Sequence, residues 1–95
     1  MTGKQRRYLR GLGHHLDPVV SIGKEGITDG LIGAVGATLE SHELIKLKLS
    51  EAAGDDRQGL AEAIAQASSA ELVQVLGRTI LLYRRREKEP TIVLP

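Results

Sequence analysis

Residues 23–26, Gly23-Lys24-Glu25-Gly26, combine types and spacing that could hold a phosphate group. Two glycines three apart, between a short apolar run (Val19, Val20, Ile22) and a helix start at Thr28-Asp29, let a backbone approach another molecule closely. Amides at a helix start favour negative charge, and Lys24 completes a phosphate contact. The same glycine spacing recurs at Gly30/Gly33 and Gly33/Gly36, but there it encloses apolar, helical residues. Only the first pair falls at a polar turn. It is not a Walker loop, because no Lys-Ser/Thr follows at the required spacing.

No arrangement in the chain suggests catalysis. His14 and His15 are adjacent, so on a helix their side chains diverge by about 100° and could not clasp one metal. His42 is remote from both, and no serine or acid stands at a nucleophile's spacing from a base. Glu43 and Glu71 read as solvated. Neither a metal, a cofactor nor a small-molecule substrate is expected. His14 reads as part of a basic face and His15 as partly buried.

Charge is segregated. The net charge is +1. Residues 1–24 carry Lys4, Arg6, Arg7, Arg10 and Lys24 against Asp17, and residues 78–88 carry Arg78, Arg84, Arg85, Arg86 and Lys88 against Glu87. The segment between holds nine acidic and three basic side chains. Such polarity suggests a basic surface for a polyanion. Tyr8 and Tyr83 are the two aromatic residues, which argues against an RRM-like sheet of stacking rings. Cysteine is absent, which fits a cytoplasmic protein, and no apolar run nears the ~20 residues that span a bilayer. A 95-residue chain without a long linker reads as one domain over 1–95.

The elements that would position these groups follow from periodicity and caps. Thr2 and Gln5 have capping-box spacing, so a helix starts near Gly3 and ends before Asp17-Pro18. Tyr8, Leu9, Leu12 and Leu16 form its expected inner face; Lys4, Arg7, Arg10 and His14 form the outer one. Val19–Ile22 reads as a strand. Thr28 caps a helix to about Glu40, with Leu31, Ile32, Val35 and Leu39 inward and Gly30, Gly33, Ala34 and Ala37 outward. Its three glycines cost about 3 kcal/mol relative to alanine. Residues 43–49 alternate as a strand, with Ile45, Leu47 and Leu49 on one face and Lys46 and Lys48 on the other. Asp55 or Asp56 caps a third helix, Arg57 to Ser69, with an inner stripe of Leu60, Ile64 and Ala67. Leu72–Leu76 and Thr79–Arg84 form strands joined at Gly77, and Thr91–Leu94 is an edge strand or a tail. The order α-β-α-β-α-β-β predicts an α/β domain with a four-stranded mixed sheet, helices covering one face and part of the other open.

These segments together resemble the CRM domain family (chloroplast RNA splicing and ribosome maturation), and in particular its stand-alone bacterial YhbY-like members. The resemblance rests on Thr2–Arg10, His14–Val20, Ile22–Thr28, His42–Lys48, Glu71–Arg78, Tyr83-Arg84 and Ile92–Pro95. It implies a fold similar to the C-terminal domain of translation initiation factor 3. It also implies RNA binding through a GxxG loop, here Gly23, Lys24, Glu25 and Gly26, and association with precursors of the large ribosomal subunit. Glu25 partly offsets Lys24 in that loop.

The expected function is therefore non-catalytic RNA binding, with large-subunit rRNA as partner in ribosome assembly. Lys4, Arg7, Arg10 and His14 would grip phosphates, the loop would hold the backbone, and Arg84, Arg85 and Arg86 would extend the track. This reading expects the basic helix and the glycine loop to adjoin. The alternative is a protein-interaction module that presents the smooth Gly30/Gly33/Ala37 face to a ribosomal or assembly protein.

Overall fold

A computed structural model describes residues 1–95. The chain runs α1 (Gly3–Gly13), β1 (Pro18–Ile22), α2 (Asp29–His42), β2 (Leu44–Leu49), a single 3-10 turn (Glu51–Ala53), α3 (Arg57–Ala67), β3 (Glu71–Leu76) and β4 (Thr79–Tyr83). The sheet order is β1-β2-β4-β3. β1 lies parallel to β2, and β4 is antiparallel to both β2 and β3. The expected α/β class, element order and mixed four-stranded sheet are all present.

Local chemistry explains the element ends. Thr2 Oγ1 accepts from the Gln5 amide at 3.1 Å, and Gln5 Oε1 accepts from the Thr2 amide at 3.0 Å, closing the capping box. Thr28 caps α2 and Asp56 caps α3, each accepting from an amide three residues on. Gly77, at φ 58°, takes the left-handed conformation that the β3–β4 turn requires.

Two cores sandwich the sheet. On one face, Val35 and Leu39 of α2 and Ala61, Ile64 and Ala65 of α3 pack on Ile22, Ile45, Leu47, Leu49, Ile80 and Leu82. Ala67, expected inward, is exposed, and Ser68 is buried instead, its hydroxyl donating to the Ile64 carbonyl at 2.6 Å. On the other face, Leu9 packs with Leu44, Val73, Leu81 and Tyr83. Helices therefore lie on both faces, because strand alternation gives each face an apolar set of its own, while α1 leaves part of its face open.

α1 sits on its sheet face by a different side from the one periodicity indicates. Leu9 and Gly13 are buried, whereas Tyr8 is 43% exposed, Leu12 40% and Leu16 36%. Gly13 explains the rotation. A Cβ there would lie 2.6 Å from Leu81 Cδ2, so the helix approaches the sheet through glycine, not through its larger apolar residues. Arg6, counted by sequence among surface cations, donates to the Leu72 carbonyl and ties α1 to the edge strand β3.

Residues 91–95 form a packed tail, not a strand. Ile92 and Leu94 complete the second core. Their anchor is Glu43, which is buried, not solvated as its sequence position suggests, and sits at φ 62° after α2. Its carboxylate accepts from the Thr91 amide (2.6 Å), the Thr91 hydroxyl (2.7 Å), the Ile92 amide (3.0 Å) and the Arg86 amide (3.0 Å). Burial alone would raise its pKa; the four hydrogen bonds outweigh burial and pull it down to about 2. Burial, with the nearby Glu43 charge adding to it, pushes the Tyr83 phenol up.

Candidate nucleic-acid interface

The glycine loop is a tight turn. The Gly26 amide donates to the Gly23 carbonyl at 3.0 Å, and Gly26 sits at φ 65°, where a side chain would be strained. A Cβ at Gly23 or Gly26 would meet nothing within 4 Å, so both positions open to solvent. The loop lines a concavity of about 340 Å³ with Ser21, Ile22, Thr28 and Leu31. Glu25 follows Lys24 directly, and Asp29 stands five residues on. Glu25 offsets Lys24 within the loop, so a phosphate contact there leans on backbone amides and close approach as well as on the lysine.

The basic helix and the loop do not adjoin. α1 lies on one face of the sheet and α2 on the other, and the loop turns over the rim between them. Strand register shows what separates the two. Gly13 covers Leu81, which pairs with Lys46. One level further along, Ser21, Lys48, Thr79 and Leu76 form a row across all four strands on this same face. Ser21, Lys48 and Leu76 in that row are exposed. Ile22 is next in β1, and the loop begins at Gly23. The five residue steps from Pro18 to Gly23 span roughly 16 Å at strand rise.

Along α1, Lys4, Arg7 and His14 are exposed and Arg10 is half-buried. His15 is exposed, not partly buried. It lies beyond the end of α1, and its ring meets that of His14 edge to face with centroids 5.3 Å apart, so the helical divergence expected of the pair does not apply. Lys46, half-buried, and Lys48, exposed, stand on the sheet face that α1 only partly covers. They complete a cationic surface that candidate selection from sequence passed over. The signal was present in the alternation of residues 43–49, but without the sheet order nothing linked that face to α1.

The three arginines after β4 divide by parity. Arg84 points to the α2–α3 side, donating to the Ser68 carbonyl (2.7 Å) and the Gly36 carbonyl (2.9 Å) and pairing with Glu40 at 3.5 Å. These contacts tie Arg84 to α2 and to the end of α3, away from the face that carries α1. Arg86 donates to carbonyls of Glu40, Ser41 and Glu89 around the end of α2 and is likewise structural. Arg85 points the other way, is exposed, and lines a cavity of about 340 Å³ with Gln5, Tyr83 and the tail, beside the start of α1. One face thus carries Arg85, Lys4, Arg7, Arg10, His14, Lys46 and Lys48, with the loop at its far rim.

Gly11 stands in the last turn of α1, where glycine costs up to about 1 kcal/mol relative to alanine. A Cβ there would meet nothing within 4 Å, so packing does not require glycine as it does at Gly13.

A small α/β domain with a basic helix laid on one sheet face and a glycine turn at its rim matches the CRS1 / YhbY (CRM) domain over residues 1–84, and the chain belongs to that family. Among its relatives is the Probable RNA-binding protein YqeI of Bacillus subtilis, 40% identical over all of this chain and 99% of its own length. An RNA-binding protein of Haemophilus influenzae is also 40% identical, over all of this chain and 95% of that one. The fold superposes on the solution structure of the hypothetical protein SAV1595 from Staphylococcus aureus with a TM-score of 0.86. The two are 45% identical, and the match covers 100% of this chain and 99% of that one. No helix is long and apolar enough to cross a membrane.

Proposed function

We propose that this protein is a non-catalytic, cytoplasmic RNA-binding protein that associates with precursors of the large ribosomal subunit and contacts rRNA there. The observation that carries the reading is the shared face of α1 and the sheet. Exposed Lys4, Arg7 and His14, half-buried Arg10 and the lysines of β2 all stand on it, and it leads to the Gly23–Gly26 rim. Side chains on a helix grip phosphates, while the open row of Ser21, Lys48 and Thr79 offers polar groups to ribose hydroxyls. Shape and 2′-hydroxyl contacts dominate over base-edge readout in such an arrangement. Names of relatives and the family match support RNA as the partner class.

Binding should weaken steeply with salt as counterions are released. Lys24→Glu combined with Arg7→Glu should lower affinity for rRNA in a gel-shift assay and leave the circular dichroism spectrum intact; unchanged affinity would overturn the reading. Co-sedimentation with immature large subunits, abolished by ribonuclease, tests the ribosomal assignment. A rival is favoured by the exposed Gly30, Gly33, Ala34 and Ala37 on α2, a smooth surface for a protein partner. Co-sedimentation that survives ribonuclease, with retention on a purified ribosomal protein, would favour that rival.

A further inference from the structure

We infer that Tyr8 and the bare flank at Gly11 form a stacking platform for one unpaired nucleobase, so the basic face selects RNA containing an unstacked nucleotide over continuous duplex. The inference rests on the RNA-binding reading above and adds what kind of RNA is preferred.

Three observations converge. Tyr83 is buried, whereas Tyr8 is 43% exposed, displaced outward because α1 docks through Leu9 and Gly13. Second, Gly11 has no partner inside the fold that excludes a side chain. Helical side chains lean toward the N-terminus, so a residue at position 11 would lie over the turn holding Arg7 and Tyr8. Glycine leaves that patch uncovered. Third, the ring stands beside cations and polar rings. Lys4 is one turn before it and Arg7 beside it, and the imidazoles of His14 and His15 follow the end of α1, all exposed.

Such a site presents an aromatic face for any base and positive charge for the phosphates on either side of it. Leu12, 40% exposed and one turn beyond Tyr8, extends the apolar floor. A base inside an A-form helix has both faces occupied by its neighbours and cannot reach the ring; a base in a loop or bulge can. A single ring on a helix differs from the multi-ring sheet that the aromatic count argues against.

Fluorescence anisotropy with two labelled RNAs tests the platform: a hairpin with an unpaired loop, and a blunt duplex of the same stem. The wild-type protein should prefer the hairpin. Tyr8→Ala should weaken hairpin binding by about fivefold or more and duplex binding by less than about twofold, while Tyr8→Phe keeps the preference. Gly11→Gln, a helix-favouring change whose side chain leans over the ring, should lose the same preference with thermal stability unchanged or raised. Hairpin binding that stays within about twofold in both Tyr8→Ala and Gly11→Gln would overturn the platform, leave the RNA reading standing, and return the exposed Tyr8–Leu12–Leu16 flank to a protein-contact role. A wild-type protein that binds neither RNA would remove the RNA reading and the platform with it.

Discussion

Replacing Glu43 by glutamine tests whether a single buried carboxylate holds the C-terminal tail on the second core. Its pKa lies at about 2 against an ordinary 4.5. At about 1.4 kcal/mol per tenfold change, that difference corresponds to roughly 3 kcal/mol. The tail is one thin layer over the site, and solvent screening trims the expected loss to roughly 2–3 kcal/mol. Glutamine keeps one acceptor oxygen, but its amide group must then face an N–H of Thr91, Ile92 or Arg86, donor against donor. The sign follows from the depressed pKa. The carboxylate's contribution is complete above the unfolded-state value near 4.5 and disappears as pH falls toward 2. Wild-type and Glu43→Gln proteins should therefore differ most at neutral pH, by roughly 2–3 kcal/mol in urea unfolding or about 10–20 °C in thermal unfolding. The gap should close progressively between about pH 4.5 and pH 2. A difference below about 0.5 kcal/mol at pH 7, or one that stays constant across this range, refutes the assignment.

Three further variants test the packing roles. Arg84→Ala removes donors to the Ser68 and Gly36 carbonyls and should destabilise by about 1.5–3 kcal/mol in urea, with RNA affinity of the folded protein unchanged. Gly13→Ala forces a Cβ against Leu81 and should cost about 1–2 kcal/mol net of its gain in helix propensity, whereas Gly11→Ala should stabilise by up to about 1 kcal/mol, both read by denaturant midpoint.

Much of this protein is legible from local signals. Capping chemistry at Thr2, Thr28 and Asp56 acts within three residues, so it marks helix starts without knowledge of the fold. Alternation in Leu44–Leu49 assigns Ile45, Leu47 and Leu49 to one face and Lys46 and Lys48 to the other, as observed. The Gly23–Gly26 turn is also local, because its glycine at positive φ and its closing hydrogen bond both lie inside four residues.

Long-range packing decided the rest. Periodicity alone put Tyr8, Leu12 and Leu16 inward, but α1 packs so near the sheet at Gly13 that a Cβ there would collide with Leu81, and Leu9 and Gly13 face inward instead. The parity that sends Arg84 into α2 and Arg85 toward α1 depends on where β4 ends in a sheet whose order no local pattern reveals. Glu43 looks like any surface acid until the tail, some fifty residues later, brings its donors. Residue types and short-range hydrogen bonds are written in the sequence because their partners are near in the chain; which face is buried and which charge is free is settled by partners that only folding brings together.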